Sequence, residues 1–106
     1  VEFETGRDVL TGPGQTALAR LLEIIQANQD TVITIQGHTD NVGDDSSNLE
    51  LSTARSIRAR AFLIAHGVAP ERLRVQGFGE KRPVADNYTV NGRIRNRRID
   101  FAVSDH

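Results

Sequence analysis

The residues best suited to chemistry in this 106-residue chain are gathered in one short polar stretch. It runs Gly37-His-Thr-Asp-Asn-Val-Gly43, and Asn48 and Arg55 follow it within a predicted helix. An aspartate and an arginine held side by side can receive a zwitterion. The carboxylate accepts from an ammonium group, while the planar guanidinium holds a carboxylate with two parallel hydrogen bonds. A structural salt bridge between Asp40 and Arg55 is the alternative that these residue types allow equally well.

Catalysis and metal binding find little support in the same stretch. His38 stands two residues before Asp40, but the chain has no cysteine and no glycine-flanked serine that could act as a nucleophile. The acidic loop that follows fails the calcium-loop pattern, because Asp45 replaces the required glycine and Leu51 replaces the bidentate glutamate. The histidines show no spacing typical of metal ligands. We therefore expect no enzymatic activity, no bound metal and no cofactor.

Composition limits the class of protein further. With 38% hydrophobic and 25% charged residues, the chain suits one compact domain rather than a disordered segment. The formal net charge of -1 disfavours nucleic-acid binding. The basic cluster Gly92–Arg98 lacks interleaved aromatic residues, so it is either a solvated charged turn or a ligand contact near the Asp40 loop. Val1 opens directly on strand-like residues, which we interpret as the start of a domain within a longer protein.

Hydrophobic periodicity places these residues between predicted helices and strands. Apolar residues recur at helical spacing after Thr11, which can cap a helix, and again before Gly67, which suits a left-handed helix end. Residues 31–35 are β-branched throughout, and residues 99–103 alternate with the period of a strand. The predicted order is a short strand at 1–4, a helix from 11, a strand at 31–35, a helix at about 48–65, a strand at 73–77, a helical turn at 92–96 and a last strand from 99.

This order predicts an α/β fold, βαβαβ(α)β. Helices between strands need crossover connections, so we expect a mixed parallel and antiparallel sheet with the two long helices packed on one face. Asp40 then lies in the polar loop at 37–47, at the end of a strand, where open α/β sheets place their ligands. Arg55 lies about two turns into the following helix. Only a loop that folds back over this helix brings the two side chains together.

Short motifs occur in a characteristic order along nearly the whole chain, from about Phe3 to Val103. They are Gly37-His-Thr-Asp40 with Gly43, Asn48, Leu51-Ser52 with Ala54-Arg55, Gly67-Val68, Arg72-Leu73, Gly77-Phe-Gly79, Pro83, Asn87, Gly92-Arg93 and Asn96-Arg97-Arg98. Each motif alone is weak, but their combined order and spacing is specific. Together they resemble the OmpA-like C-terminal domain family of cell-envelope proteins.

The resemblance implies a non-catalytic domain that binds peptidoglycan through the diaminopimelate of its stem peptide. Under it, Asp40 receives the ligand ammonium, Arg55 receives the ligand carboxylate, Thr39 and Asn48 help to hold the ligand, and Arg97 is a further ligand-side residue. It also implies the periplasmic face of the envelope, with a membrane anchor or barrel supplied upstream. A protein–protein adaptor of an envelope complex is the alternative, and the oligomeric state stays open, with a homodimer among the alternatives.

Overall fold

The computed structural model describes residues 1–4 and 6–105, without the side chain of Asp105. In chain order the elements are helix α1 (Gly12–Ala27), strand β1 (Thr31–His38), helix α2 (Asp45–Ala65), a 3-10 turn (Pro70–Arg72), strand β2 (Leu73–Gly79), helix α3 (Val90–Asn96) and strand β3 (Ile99–Asp105). No helix in this part of the chain combines the length and the apolar composition that a membrane span requires.

The helix ends follow from capping side chains. Thr11 caps α1 as predicted, its hydroxyl accepting from Gly14 N at 3.1 Å. Asp44 caps α2, its carboxylate accepting from Ser47 N at 3.3 Å. Because of this cap, α2 begins at Asp45, and the predicted start near Asn48 was too late. The polar stretch between β1 and α2 is correspondingly shorter than expected.

Strand β1 is the centre of a three-stranded sheet with the order β2-β1-β3. It pairs in parallel with β2 and antiparallel with β3, so the predicted mixed sheet is confirmed. Both long helices supply one hydrophobic core on one face of the sheet, also as predicted. The core contains Leu18 and Ile25 from α1, Ala59 and Leu63 from α2, and Ile33, Ile35, Leu73 and Ile99 from the strands.

The segment expected as a first strand does not join this sheet within the described residues. Phe3 makes only an isolated antiparallel bridge to Leu10, and Glu4 N donates to Val9 O at 2.8 Å. The chain turns between them at Gly6, whose φ is +68°. The strand-like residues thus pair locally, within what we call the N-terminal loop (residues 1–4 and 6–10), and the predicted strand at 1–4 was wrong.

Two strand glycines let α2 lie directly against the sheet. Gly37 and Gly77 are neighbours in the parallel register of β1 and β2. A Cβ on Gly37 would overlap Ser52 O, and one on Gly77 would overlap Thr53 Oγ1. This close approach holds the first half of α2, which carries Arg55, near the carboxyl end of β1.

Candidate functional site

Asp40 lies just beyond the carboxyl end of the central strand, between the ends of its two neighbours. His38 N donates to Arg98 O at 2.9 Å, and Thr39 N donates to Gly79 O at 2.8 Å. The backbone is therefore bonded on both sides up to the residue before Asp40. Gly37 and His38, expected in the loop, are strand residues. This bonding gives Asp40 a fixed position at the edge of the sheet, where the sequence predicted a ligand site.

The Asp40 carboxylate is already paired within the protein. Its Oδ1 accepts from Val42 N at 2.9 Å, and its Oδ2 accepts from Arg97 Nη1 at 3.0 Å. Only 7% of the Asp40 side chain is exposed, against 47% of the Arg97 side chain. The sequence left open a structural salt bridge between Asp40 and Arg55, but among the described residues the arginine paired with Asp40 is Arg97. The antiparallel pairing of β1 with β3 explains this contact, because it brings the start of β3 beside the end of β1.

Asn48 and Thr39 hold the backbone around Asp40. Asn48 Nδ2 donates to Val42 O at 3.0 Å and to Asp40 O at 3.4 Å. Thr39 Oγ1 donates to Asp40 O at 2.9 Å. Both side chains are buried. The structure thus brings four of the five predicted site residues into one bonded cluster: Thr39, Asp40, Asn48 and Arg97.

Arg55, the fifth, is buried beside this cluster and is held by neutral groups. Its Nε donates to Arg7 O at 2.9 Å and its Nη2 donates to Glu4 O at 3.4 Å. Its guanidinium carbon lies 5.3 Å from the centre of the Phe3 ring. No carboxylate among the described residues forms an ion pair with it.

The surroundings of Arg55 lower its pKa. Burial lowers the pKa most, and the nearby charge of Arg97 lowers it further, while the carboxylates of Asp40 and Asp8 act in the opposite direction. Arginine keeps its proton in any case. The lowered pKa therefore means that the Arg55 cation is not fully compensated by its surroundings.

A cavity of about 450 Å³ opens beside Arg55 and Arg97. Its charged lining is Arg55, Arg97, Arg98 and Glu2, and its apolar lining is Val1, Phe3, Ile94 and Ile99. Three arginines against one glutamate make the cavity electropositive, and the cavity is large enough for the end of an amino-acid side chain. The lining thus favours a ligand with an anionic group and an aliphatic stem.

An acidic region lies on the Asp40 side of the site. The pKa of the Glu80 carboxyl is raised by partial desolvation, then by its proximity to the Asp45 carboxyl and by the negative charges of Asp45, Asp40 and Asp44. These carboxylates therefore repel one another electrostatically around the loop that follows β1. The described residues contain no group of three or more histidine or acidic side chains placed to hold a metal ion. The acids instead make the Asp40 side of the site negative.

Asn96 supports the site in a way that spacing did not reveal. Its side chain is completely buried, and Oδ1 accepts from Val84 N at 2.8 Å and from Ala85 N at 3.0 Å. Its Nδ2 donates to Ala85 O at 2.9 Å and to Asn87 Oδ1 at 2.8 Å. Asn96 thereby ties the loop before α3 to the end of α3. Because Arg97 follows Asn96 directly, these bonds also hold the backbone of Arg97. A buried, fully bonded amide has no distinct signature in a single sequence.

His38 forms a second unpredicted cluster on the open face of the sheet. Its ring stacks on Phe78 with centroids 5.1 Å apart, and its Nε2 lies 3.4 Å from Asp100 Oδ2. Asp100 is engaged by Arg98, whose Nε lies 3.1 Å from the same oxygen. Neither ring nitrogen of His38 makes a hydrogen bond within the described residues. Burial, and then the charge of Arg98, lower the pKa of His38.

Known proteins are similar to this chain in sequence. Outer membrane porin F of Pseudomonas fluorescens is 37% identical over 103 residues, which are 97% of this chain and 32% of the porin. Peptidoglycan-binding protein ArfA of Mycobacterium tuberculosis is 37% identical over 87 residues, which are 82% of this chain and 27% of ArfA. The chain thus spans about a third or less of these two relatives.

A solved structure shares the fold across the whole chain. The C-terminal domain of Helicobacter pylori MotB superposes with a TM-score of 0.89 at 28% identity, covering 98% of this chain and 82% of that domain. The sequence model of the OmpA family matches residues 2–97 of this chain. This range includes Asp40, Arg55 and Arg97. The chain therefore belongs to the OmpA family.

Proposed function

We propose that this domain binds peptidoglycan non-covalently through the diaminopimelate of the stem peptide. The free end of diaminopimelate carries an ammonium and a carboxylate on one carbon. The observation that carries the proposal is the Arg55 cation, which is buried and bonded only to carbonyl oxygens among the described residues. A buried charge without a counter-ion is unfavourable, so an anionic ligand group that reaches Arg55 gains from pairing with it.

The ligand carboxylate belongs in the arginine-lined cavity. Arg55 and Arg97 both line it, and guanidinium groups hold carboxylates through paired hydrogen bonds. The aliphatic side chain of diaminopimelate would lie against Ile94 and Ile99, which belong to the apolar part of the lining. This cavity therefore offers both a charge partner and an apolar surface to one ligand residue.

The ligand ammonium belongs at Asp40. Within the protein, Arg97 Nη1 donates to Oδ2 of Asp40 at 3.0 Å. Arg97 is half-exposed, so its side chain can leave Asp40 and turn to the ligand carboxylate at little cost. The ammonium then takes the place of one cation beside Asp40.

Thr39 and Asn48 have a supporting part in this proposal. Both donate to Asp40 O, so they fix the backbone that carries the receiving carboxylate. Asn48 also holds the Val42 carbonyl, which keeps the turn after Asp40 closed. We expect their loss to weaken ligand binding by loosening this turn, in addition to any direct contact with the ligand.

The cellular setting is also part of the proposal. The relatives include an outer membrane porin and a protein named for peptidoglycan binding. We place this domain at the periplasmic face of the envelope, tethered to the outer membrane by a part of the protein outside this chain. In that position, a bond to diaminopimelate would anchor the membrane protein to the cell wall.

Calorimetric titration with two stem peptides tests the proposal. One peptide contains diaminopimelate, and the other contains lysine, which lacks the terminal carboxylate. Charge-assisted hydrogen bonds contribute about 1.5–3 kcal/mol each, so the lysine peptide should bind at least about tenfold more weakly. Equal affinities would refute the role of Arg55.

Purified sacculi separate the proposal from its alternatives. We expect the domain to sediment with sacculi and to release no soluble fragments from them. A domain that stays in solution but is retained by another envelope protein would instead support the adaptor alternative. Binding to DNA with a steep salt dependence would point to a nucleic-acid function, which the net charge of -1 disfavours.

A further inference from the structure

The N-terminal loop contacts Arg55 at three points. The carbonyls of Arg7 and Glu4 accept from Nε and Nη2 at 2.9 and 3.4 Å. The ring of Phe3 lies under the guanidinium, with its centre 5.3 Å from the guanidinium carbon. These contacts join residues about fifty positions apart in the chain, so they are tertiary contacts and not part of a local turn.

The loop is itself held in one conformation by a set of backbone hydrogen bonds. Glu4 N donates to Val9 O at 2.8 Å, Arg7 N donates to Glu4 O at 3.0 Å and Thr11 N donates to Glu2 O at 3.2 Å. The Glu4 carbonyl therefore accepts from Arg7 N and from Arg55 at once. Arg58, one turn after Arg55, adds a bond from its Nε to Asp8 O at 3.3 Å. The loop and this turn of α2 form one bonded unit.

The same loop is a wall of the cavity. Glu2, Phe3 and Gly6 line it together with Arg55 and Arg97. Carbonyl oxygens and an aromatic ring orient a guanidinium without cancelling its charge. A carboxylate in their place would orient Arg55 equally well but would neutralise it. The N-terminal loop thus fixes the direction of Arg55 while leaving its charge available to a ligand.

We infer that Phe3 is a positioning residue of the binding site, and that the N-terminal loop and the ligand are coupled through Arg55. The inference rests on the proposed function of the Arg55 cavity. A loop that orders Arg55 raises the affinity for an anionic group. By thermodynamic reciprocity the bound ligand then stabilises the loop by the same factor. The exposed backbone of the loop makes this coupling measurable by hydrogen exchange.

The test compares Phe3→Leu with Phe3→Tyr, which keeps the aromatic ring, and with the matched control Phe62→Leu. Phe62 is also partly buried against the core, but it stacks on His66 and does not line the cavity. We expect Phe3→Leu to weaken binding of the diaminopimelate peptide about two- to thirtyfold, the range of one cation–π contact. Binding of the lysine peptide should change little, and Phe3→Tyr and Phe62→Leu should bind like the wild type.

Two exchange measurements accompany the titrations. In the ligand-free protein, the Nε–H proton of Arg55 should exchange with water faster in Phe3→Leu than in the wild type or Phe62→Leu. On addition of the diaminopimelate peptide to the wild type, the amides of Glu4, Arg7 and Thr11 should exchange more slowly.

The outcomes separate this inference from the proposed function. Unchanged affinity and unchanged Arg55 exchange in Phe3→Leu would overturn the positioning role, even if the wild type binds as proposed. Equal losses for both peptides, or for Phe3→Leu and Phe62→Leu, would overturn it too, because they indicate general destabilisation. If the wild type does not bind the peptide, the proposed function fails. The exchange of Arg55 Nε–H in the free protein then still decides whether Phe3 positions the guanidinium.

Discussion

Replacing Asp40 by asparagine removes one charge from the site with almost no change of shape. In the wild type, Val42 N donates to Oδ1 of Asp40 at 2.9 Å, and the amide oxygen of asparagine can accept the same hydrogen bond. The ion pair with Arg97 is lost, but Arg97 is half-exposed and such pairs contribute only about 0–1 kcal/mol. We therefore expect Asp40→Asn to fold normally and to lose less than about 1 kcal/mol of stability.

The effect on ligand affinity follows from the same contacts. In the wild type the ligand ammonium gains a charge-assisted bond of about 1.5–3 kcal/mol at Asp40 and displaces the Arg97 pair, which is worth about 0–1 kcal/mol. The net contribution of Asp40 is therefore about 0.5–3 kcal/mol, or about a two- to 150-fold change in affinity. Calorimetric titration with the diaminopimelate stem peptide measures the affinity, and urea unfolding of the same samples measures the stability.

Asp44→Asn is the matched control for this experiment. It removes the same charge from the same loop, and asparagine caps a helix about as well as aspartate does. A charge that does not touch the ligand is largely screened at physiological salt, so its removal should change the affinity by less than about twofold. If Asp40→Asn binds like the wild type, the reasoning is refuted. If the two variants lose equal affinity, the site attracts the ligand only through its overall negative charge.

Three further predictions concern stability. Burial lowers the pKa of His38 below 6.5 in the folded state, so protonation of His38 favours the unfolded state. The stability that is fully present above pH 6.5 is therefore lost as the pH falls through the folded-state pKa. Urea unfolding at about pH 7.5 and about pH 5 should show a smaller acid loss in His38→Gln than in the wild type. Gly37→Ala should cost about 1–3 kcal/mol, because its Cβ overlaps Ser52 O, whereas Gly12→Ala, in open space, should be near neutral in thermal unfolding. Asn96→Ala leaves two backbone N–H groups without their acceptor, so the amides of Val84 and Ala85 should exchange faster and the free energy of unfolding should fall by about 1–3 kcal/mol or more.

The sequence predicted the regular elements well where a local cause specified them. The Thr11 cap and the β-branched run from Thr31 appear as predicted, and the segment from Ile99 forms strand β3. The predicted alternation of burial in β3 is not found, because Val103 is exposed. Gly67 has the positive φ expected at a helix end, +102°. Membership in the OmpA family also confirms the recognised resemblance and the expectation of a domain without catalytic activity.

The errors arose where the hydrogen-bond partners of a segment differ from those that its composition suggests. Val1 to Glu4 has strand-like composition, but pairing of Phe3 with Leu10 across Gly6 satisfies that segment locally. Gly37 and His38 look like the start of a loop, yet hydrogen bonds to both neighbours extend β1 through them. A glycine in a sequence does not distinguish a turn from a place where a helix packs on a strand.

The site was predictable in its residue types but not in its pairings. The sequence suggested that Asp40 and Arg55 act together, and it left the basic cluster Gly92–Arg98 open as a ligand contact near the Asp40 loop. It did not predict the pair between Arg97 and Asp40, which follows the sheet order rather than the chain order. The partners of Arg55 are main-chain carbonyls. Because every residue carries such a carbonyl, no residue type in the sequence predicts them. Such contacts can be found only in three dimensions.

These pairings make the two halves of the site unequal. At Asp40 a ligand ammonium exchanges with the Arg97 guanidinium, so one cation replaces another and the loss of the Arg97 pair offsets part of the gain. At Arg55 a ligand carboxylate meets a buried cation that forms no ion pair with a carboxylate among the described residues, so its gain has no comparable offset. Discrimination between ligands should therefore reside mainly in the carboxylate. An amine alone, such as the end of a lysine side chain, can pair only with Asp40, which already has Arg97 as its partner. It leaves Arg55 without a carboxylate, and for this reason the domain should distinguish diaminopimelate from lysine.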